Sequence, residues 1–332
     1  MITMTSRLRI ISLAAVILLI AAVTITGCTN TAPAATATTP APTASQTSAQ
    51  PLIEEITVRA EIAALAASYA AQINGDNVTA AIAGGANSTE HAALVARLAA
   101  MIAENPQIAW VEIATNVNGT YQELAAPEGN EPVNESEPEV IQPEFLQPIT
   151  APGATGVYTD RWGTSVSGYA PIADGSGKAV AFLMVDVPFE VLQNETRDLA
   201  VSYADLIDPV TLAAAIENGE NSTEYGSIVD QLEAFVLADN RTGYISILRH
   251  MDGKTRFVTA SSYNGPDNPD RYPGQKPGDE ITDEAPELLR PVTAPGATSI
   301  FFDGFDSELN GYAPIRDANG QVIAFLVFDR AL

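Results

Sequence analysis

The chain has 332 residues, of which 46% are hydrophobic and 17% are charged, and acids outnumber bases 41 to 16 for a formal net charge of −25. This length allows one to three domains with buried cores. Such an acidic chain repels phosphate backbones, so we expect no nucleic-acid partner. One cysteine and two histidines exclude a disulfide framework and leave little for a metal site, so we expect no metal and no cofactor.

The first 28 residues carry the most specific signal in the sequence. Arg7 and Arg9 precede an apolar run from Ile10 to Ile25, which is short for a membrane-spanning helix and typical of a signal peptide. The run ends in Ile25-Thr-Gly-Cys28, which resembles the lipobox of secreted lipoproteins. The resemblance implies a signal peptide over residues 1–27 and a lipid on the Cys28 thiol. The alternative is an uncleaved N-terminal anchor, and both interpretations place the rest of the chain outside the cytoplasmic membrane.

The next segment, residues 28–52, predicts a tether. Thr29 to Gln50 consists almost entirely of Ala, Thr, Pro, Ser and Gln, and such a composition cannot bury a core. We therefore expect a disordered spacer between the lipid anchor and the folded part.

Candidate sites of N-glycosylation are more frequent than this composition predicts by chance. Their excess indicates an exported surface glycoprotein. Together with the acidity and the lipobox, it points to an archaeal cell envelope. The sequons lie at Asn77, Asn87, Asn118, Asn134, Asn194, Asn221 and Asn240.

An internal repeat organises the rest of the chain. Leu65-Ala-Ala-Ser-Tyr-Ala70 recurs 134 residues later as Leu199-Ala-Val-Ser-Tyr-Ala204. Pro148-Ile-Thr-Ala-Pro-Gly-Ala-Thr155 recurs 143 residues later, from Pro291 to Thr298, so the second copy carries nine extra residues. A period of this size indicates a domain duplication. The predicted domains, copy one and copy two, span residues 53–188 and 189–332.

Each copy predicts the same elements. The first helix covers Ile53–Ile73 or Val191–Ile207. Asn87 and Asn221 resemble N-caps with a Glu three residues later, and a second helix follows each. Alternating apolar residues then predict five antiparallel strands, with a first turn at Asn118-Gly119 in copy one and at Asp252-Gly253 in copy two. The fold class is α+β. The predicted strands are Ala109–Ala114, Tyr121–Leu124, Gly156–Thr159, Ser165–Ile172 and Ala179–Val187 in copy one, and Gly243–Leu248, Thr255–Ala260, Ser299–Phe302, Leu309–Ile315 and Val322–Asp329 in copy two.

The end of each copy resembles the extracellular Cache domain, a PAS-like sensor domain also called PDC. In copy one the resemblance rests on Tyr158 to Ile172, on Asp174 and Gly177, and on the strand that ends Leu183-Met-Val-Asp186. In copy two it rests on Asp303, Gly311 to Asp317 and Phe325 to Asp329. The resemblance implies two tandem sensor domains that bind a small organic acid, amino acid or amine and relay that binding to a signalling partner.

The resemblance also implies candidate ligand-binding residues. Asp186 and Asp329 end the last strands, where amino-acid-binding members of the family hold the ligand amine; the structural alternative is a solvated strand end or a salt bridge. Arg271 and Tyr272, with Tyr263 nearby, resemble the family's pocket-rim loop, although Arg271-Tyr272-Pro273 departs from its amino-acid motif. Copy one has only acids, Pro and Asn in place of that loop, so we expect a degenerate pocket there and the better site in copy two.

A second pair of positions follows from aligning the copies. Asp160 and Trp162 in copy one match Asp303 and Phe305 in copy two. The carboxylates either cap a turn or line the pocket, and the aromatic rings either pack on the sheet or contact a ligand. The structural interpretation is favoured for both pairs.

The leading hypothesis is a membrane-tethered lipoprotein that binds a small solute and presents it to a membrane receptor or transporter. No kinase or methyl-accepting region is recognisable, so the output is expected to come from that partner. The alternative is a structural or adhesive envelope lipoprotein that has kept the fold and lost the pocket. No nucleophile motif or phosphate loop is present, so we expect no enzyme and no catalytic residue.

Overall fold

The computed structural model describes residues 57–117, 119–127, 141–239, 241–261, 276–282, 284–302 and 307–332. Residues 51–332 form one compact unit, in which one succession of helices and strands occurs twice. In copy one the elements are α1 (Val58–Ala70), α2 (Gly75–Gly84), α3 (Thr89–Glu104), β1 (Trp110–Val117), β2 (Thr120–Ala125), a 3₁₀ helix (Pro143–Leu146), β3 (Gly153–Ala154), β4 (Tyr158–Asp160), β5 (Gly163–Ala173) and β6 (Ala179–Pro188).

Copy two begins directly after β6 and repeats the order of copy one. Its elements are α4 (Phe189–Ala204), α5 (Pro209–Asn218), α6 (Thr223–Ala238), β7 (Tyr244–Met251), β8 (Lys254–Ala260), β9 (Gly296–Ala297), β10 (Phe301–Phe302), β11 (Ser307–Arg316) and β12 (Val322–Ala331).

Each copy builds one antiparallel sheet. The first has the order β2-β1-β6-β5-β3, with β4 also on β5, and the second has the order β8-β7-β12-β11-β10, with β9 also on β11. The α+β class is therefore confirmed. Within the described residues each sheet has six strands and not the predicted five, because the two-residue strands β3 and β9 pair with β5 and β11. Strands this short leave no alternating pattern for a sequence to reveal.

The helices cover one face of each sheet. In copy one, Leu94 and Leu98 of α3 pack against Ile113 and Leu183, all of them fully buried or nearly so. Helix α1 lies directly on β5, because Gly168 has no side chain: a Cβ there would stand 2.4 Å from the Ile62 carbonyl oxygen. The opposite face of the sheet is left for the functional site.

The structure corrects two details of the helix prediction. Short helices α2 and α5 were not predicted, since they contain ten residues each and bury few large side chains. The N-caps are also shifted by one residue. The Ser88 and Ser222 hydroxyls accept the capping hydrogen bonds, from the backbone N–H groups of His91 and Tyr225. A serine beside each asparagine supplied the better-placed oxygen.

Helix α4 connects the two copies. It follows β6 of copy one without a loop, and its Phe189 and Leu192 share an apolar cluster with Val166 of β5 and Leu309 of β11. Within the described ranges no single helix is long and apolar enough to cross a membrane. Helices α4 and α5 meet that length and composition only as a pair, with a 78° bend between them.

Candidate ligand-binding cavity

A cavity of about 590 Å³ lies on the face of the first sheet opposite to helices α1 and α3. This size falls within the range of small-molecule sites. Five strands, the 3₁₀ helix with its preceding residues, and the first turns of α4 surround it. Its described lining comprises Ala109, Trp110, Glu112, Tyr121, Glu123, Ile141, Gln142, Phe145, Tyr158, Asp160, Trp162, Gly163, Thr164, Ser165, Met184, Asp186, Pro188, Phe189, Glu190 and Gln193.

Strand alternation decides which side chains reach the cavity. Successive residues of a strand point to opposite faces, so Val111 and Ile113 enter the helix-covered core while Trp110 and Glu112 face the cavity. On the neighbouring strand β6, Asp186 pairs in register with Trp110. Polar and aromatic side chains of β1 and β6 therefore meet at one end of the sheet.

A chain of hydroxyl groups fixes the Asp186 carboxylate. The Ser167 hydroxyl donates to Asp186 Oδ1 at 2.5 Å, and the Tyr158 hydroxyl lies 2.6 Å from the Ser167 oxygen. Because serine has a single hydroxyl proton, Tyr158 is the donor of the second bond. Burial, reinforced by the negative charge of Asp186, raises the pKa of Tyr158 far above its ordinary value, so its proton is held. Asp186 is thus oriented from the strand side.

A second carboxylate is oriented by an indole. The Trp110 Nε1–H donates to Glu112 Oε2 at 2.9 Å, and Glu112 is 5% exposed. Farther along the sheet, burial raises the pKa of Glu123 above its ordinary value. Removing a carboxylate from water favours its protonated form unless a positive charge compensates. A cation bound beside Glu123 would therefore stabilise its charged form.

The rim of the cavity is a hairpin between β4 and β5. Asp160 caps this turn by accepting hydrogen bonds from the backbone N–H groups of Trp162 and Gly163, at 2.8 and 3.1 Å. The Trp162 side chain remains 63% exposed at the mouth. The guanidinium of Arg161 lies 4.0 Å from the centre of the Trp162 ring, so this aromatic face already accepts a cation.

The floor of the cavity is closed at one end by aromatic packing. Phe145 of the 3₁₀ helix stacks on Phe182 with ring centres 5.8 Å apart and meets the edge of Tyr169 at 5.7 Å. Tyr121 completes this cluster. A ligand therefore meets an apolar wall on one side and carboxylates on the other.

The described lining has a strongly one-sided charge. Five carboxylates border the cavity, and none of the described lining residues is Lys, Arg or His. The carboxylates are Glu112, Glu123, Asp160, Asp186 and Glu190. Such a site attracts cations and repels organic anions.

Three of the predicted ligand-binding residues come together here, namely Asp160, Trp162 and Asp186. The cavity lies in copy one, where the sequence had predicted a degenerate pocket. That prediction depended on residues 123–139, most of which lie outside the described residues, so it stays a prediction. Tyr263, Arg271, Tyr272, Asp303 and Phe305 lie outside the described residues, so the expectation of a site in copy two stays a prediction.

Sequence reasoning missed several lining residues. Trp110 and Glu112 belong to a predicted strand and alternate with Val111 and Ile113. This alternation indicated that Trp110 and Glu112 lie on the sheet face opposite to the apolar core. Ser167 carried no recognisable signal, because a serine in a strand acquires its role only from the aspartate on the next strand.

The equivalent position in copy two holds a compact polar cluster. Asn310 donates through Nδ2 to Asp329 Oδ1 at 2.7 Å and to Glu308 Oε2 at 3.3 Å. All three side chains are buried. The described residues of the second sheet and its neighbours also form a buried apolar cluster that includes Phe257, Leu288 and Phe325. Asp329 is buried in the polar cluster, and its predicted role as a ligand-binding residue stays a prediction.

The predicted modification sites are only partly described. Asn77, Asn87 and Asn221 are exposed, whereas Asn194 is half-buried and accepts a 2.7 Å hydrogen bond from Arg197. Cys28, Asn118, Asn134 and Asn240 lie outside the described residues, so lipidation and glycosylation remain predictions.

Among the described side chains, no group of three His, Cys, Asp or Glu residues could hold a metal ion.

No protein-family model matches the chain, and no curated protein matches it. Solved structures do match. The ligand-binding domain of the Pseudomonas fluorescens chemoreceptor CtaA in complex with L-alanine is 13% identical over 81% of this chain and 94% of that chain, with a TM-score of 0.22. The Pseudomonas aeruginosa amino acid chemoreceptor PctC in complex with GABA is 13% identical over 80% and 88%, with a TM-score of 0.24.

A third match is the sensory domain of the Campylobacter jejuni chemoreceptor Tlp3, which is 16% identical over 43% of this chain and 53% of that chain, with a TM-score of 0.26. Identities and TM-scores of this size do not establish a common function. The site is therefore interpreted from its own residues.

Proposed function

We propose that this chain is an extracytoplasmic solute-binding protein of the Cache type, and that its ligand is a small organic cation bound in the copy-one cavity. The observation that carries the proposal is the lining itself: five carboxylates and several aromatic rings around about 590 Å³, with no basic side chain among the described lining residues. Carboxylates bind ammonium groups through charge-assisted hydrogen bonds, and aromatic faces attract cations.

The charge of the lining selects among the expected ligand classes. An organic acid would enter a negative field and meet no basic side chain among the described lining residues. The Arg161 guanidinium lies at the mouth, over the Trp162 ring. An amino acid would bring its amine to the carboxylates, but its own carboxylate would meet no basic side chain of the described lining. An amine or quaternary ammonium ion places its positive charge next to both the carboxylates and the aromatic rings, so it fits best.

The remaining parts of the proposal rest on the sequence. The lipobox ending at Cys28 supports a lipid anchor, and the spacer 28–52 supports a tether that holds the binding unit away from the membrane. A membrane receptor or transporter would read the bound state. The mechanism is reversible binding with no covalent step.

Intrinsic fluorescence offers a direct test. Both tryptophans of the chain, Trp110 and Trp162, line the cavity, so a bound ligand perturbs the emission of each. The full chain would be titrated with tetramethylammonium, choline, putrescine, γ-aminobutyrate and succinate at low and high salt. Saturable changes with the cations, weakened by salt, support the proposal; a response confined to γ-aminobutyrate or succinate contradicts the assignment of a cation.

A structural envelope role is the second candidate. The buried apolar cluster of the second sheet, which includes Phe257, Leu288 and Phe325, favours it, because apolar side chains there pack on one another. This role predicts no saturable response to any small solute in the same titration.

A further inference from the structure

The wall of the copy-one cavity includes Gln193, a residue of copy two. Gln193 lies in the second turn of α4 and lines the cavity. Its side-chain Nε2 donates a 2.8 Å hydrogen bond to the carbonyl oxygen of Thr298, just after β9 of the second sheet. Thr298 is completely buried. The Gln193 side chain therefore contacts both the cavity of copy one and the interior of copy two.

From Thr298 the hydrogen bonds continue into the polar cluster of copy two. The Thr298 N–H donates to the Asn310 carbonyl at 2.8 Å, and the Asn310 N–H donates to Thr298 Oγ1 at 3.1 Å. The Asn310 side chain then donates to Asp329 and Glu308. The route thus runs from the cavity wall to the positions in β11 and β12 that correspond to Ser167 and Asp186 of copy one.

Helix α4 is fixed to the second sheet along its length, so a shift at its N-terminal turns is not absorbed locally. A Cβ at Gly311 of β11 would stand 2.3 Å from the Thr196 carbonyl oxygen, which shows how closely the two backbones approach. Arg330 of β12 is 1% exposed, and its guanidinium lies 3.7 Å from Glu195 and 3.5 Å from the Thr196 hydroxyl.

We propose that Gln193 transmits the occupancy of the copy-one cavity to the second sheet. An amide has one donor nitrogen and one acceptor oxygen. With the nitrogen on Thr298, the oxygen is left to accept a hydrogen bond from an ammonium group in the cavity. A hydrogen bond accepted by the amide oxygen polarises the amide, so a bound ammonium group strengthens the Gln193–Thr298 bond. A firmer bond at the Thr298 carbonyl holds this residue in place, and the Thr298–Asn310 pair then opens less often.

The test does not require a known ligand. The full chain would carry Ser165→Cys, which lines the cavity, and Cys28→Ser, which removes the single native cysteine. Aminoethyl methanethiosulfonate attaches an ammonium group to the new thiol, and methyl methanethiosulfonate attaches a neutral methylthio group as the matched control. Hydrogen–deuterium exchange is then measured for peptides that cover residues 294–302 and 307–316.

The expected result is that the ammonium label slows exchange at Thr298 and Asn310 at least fivefold relative to the methyl label. Gln193→Leu and the isosteric Gln193→Glu, which both lack the donor nitrogen, should abolish that difference. Gln142→Leu, the same substitution on another cavity wall, should retain it. Equal exchange with the two labels, or an undiminished difference in both Gln193 variants, overturns the proposal.

This inference rests on the proposed function, but the two fail in different experiments. The tethered ammonium group needs no affinity of its own, so the exchange measurement tests the transmission alone. The fluorescence titration with free cations tests the binding function alone.

Discussion

Ser167 donates a 2.5 Å hydrogen bond to Asp186 across β5 and β6. In copy two, Asn310 and Asp329 stand in the same relation across β11 and β12, at 2.7 Å. The duplication has thus kept a donor facing an aspartate in both sheets. In copy one the aspartate borders a cavity, and in copy two it is buried with a second carboxylate, Glu308.

This pair of aspartates gives a matched test of the cation site. Asp186→Asn removes a charge from the cavity and should weaken binding of an organic cation by about tenfold to a hundredfold, since a hydrogen bond to a charged group contributes roughly 1.5–3 kcal/mol. Asp329→Asn removes the same charge from the second sheet, away from the cavity, and should weaken binding much less than Asp186→Asn does. Calorimetric titration of both variants measures the difference. Equal losses would mean that Asp186 acts only through the fold.

Trp162 should contribute to affinity and little to stability. Trp162 is 63% exposed, so Trp162→Ala creates no cavity in the hydrophobic core. The substitution does remove an aromatic face at the mouth of the ligand cavity. We expect a severalfold weaker cation affinity with an unchanged melting temperature. Arg161→Ala is the control, because it frees the same ring from its present guanidinium and should not weaken binding. A large fall in melting temperature for Trp162→Ala would contradict this role.

Glycine at the helix–sheet contacts is required for packing. Gly168→Ala would force a Cβ to 2.4 Å from the Ile62 carbonyl oxygen and should reduce the free energy of unfolding by about 1–3 kcal/mol. Gly226→Ala in α6 meets no atom within 4 Å, and it should raise stability by roughly 0.5–1 kcal/mol through helix propensity. Urea denaturation of both variants distinguishes packing from propensity. Similar effects of the two substitutions would refute the argument.

The ion pair of Glu61 and Arg330 predicts a pH dependence. Burial raises the pKa of Glu61 above its ordinary value despite the attraction of Arg330. A carboxyl with a raised folded-state pKa contributes stability that is present below its unfolded pKa and is lost as the pH rises through the folded pKa. Between pH 4.5 and 7, the wild type should therefore lose stability relative to Glu61→Gln.

Thermal denaturation across this pH range measures the effect of Glu61. Glu104→Gln, at a carboxylate whose side chain is 59% exposed, serves as the control and should follow the wild type. A parallel pH course for the wild type and Glu61→Gln would show that burial does not govern the titration of Glu61.

The N-cap assignment of α6 is open to a direct comparison. Ser222→Ala removes the hydroxyl that accepts from the Tyr225 N–H at 3.1 Å and should cost about 1 kcal/mol of unfolding free energy. Asn221→Ala, one residue earlier, should cost much less. A larger loss of unfolding free energy for Asn221→Ala than for Ser222→Ala would show that Asn221 is the N-cap, as the sequence predicted.

The regular elements were predictable because they depend on local patterns. The long strand β6 carries a continuous apolar run, which is typical of a strand buried on both faces. The turn at Asp252-Gly253 has two consecutive residues at positive φ, as an Asp-Gly hairpin requires. The duplicated order of helices and strands was readable from repeated residues 134 or 143 positions apart. The two-residue strands β3 and β9 and the short helices α2 and α5 were not predicted, since each contains too few residues to express a period.

By itself, the sequence determined the α+β class, the repeated order of elements and the acidity of the chain, because composition, periodicity and repetition are properties of the chain alone. The tertiary structure alone decided that the described cavity lies in copy one and that Glu112 joins Asp186 there. It also decided that Gln193 of copy two forms part of the wall. The physical reason is register: strand pairing and the seating of α4 bring together residues that are distant in the chain, and no local pattern records those contacts.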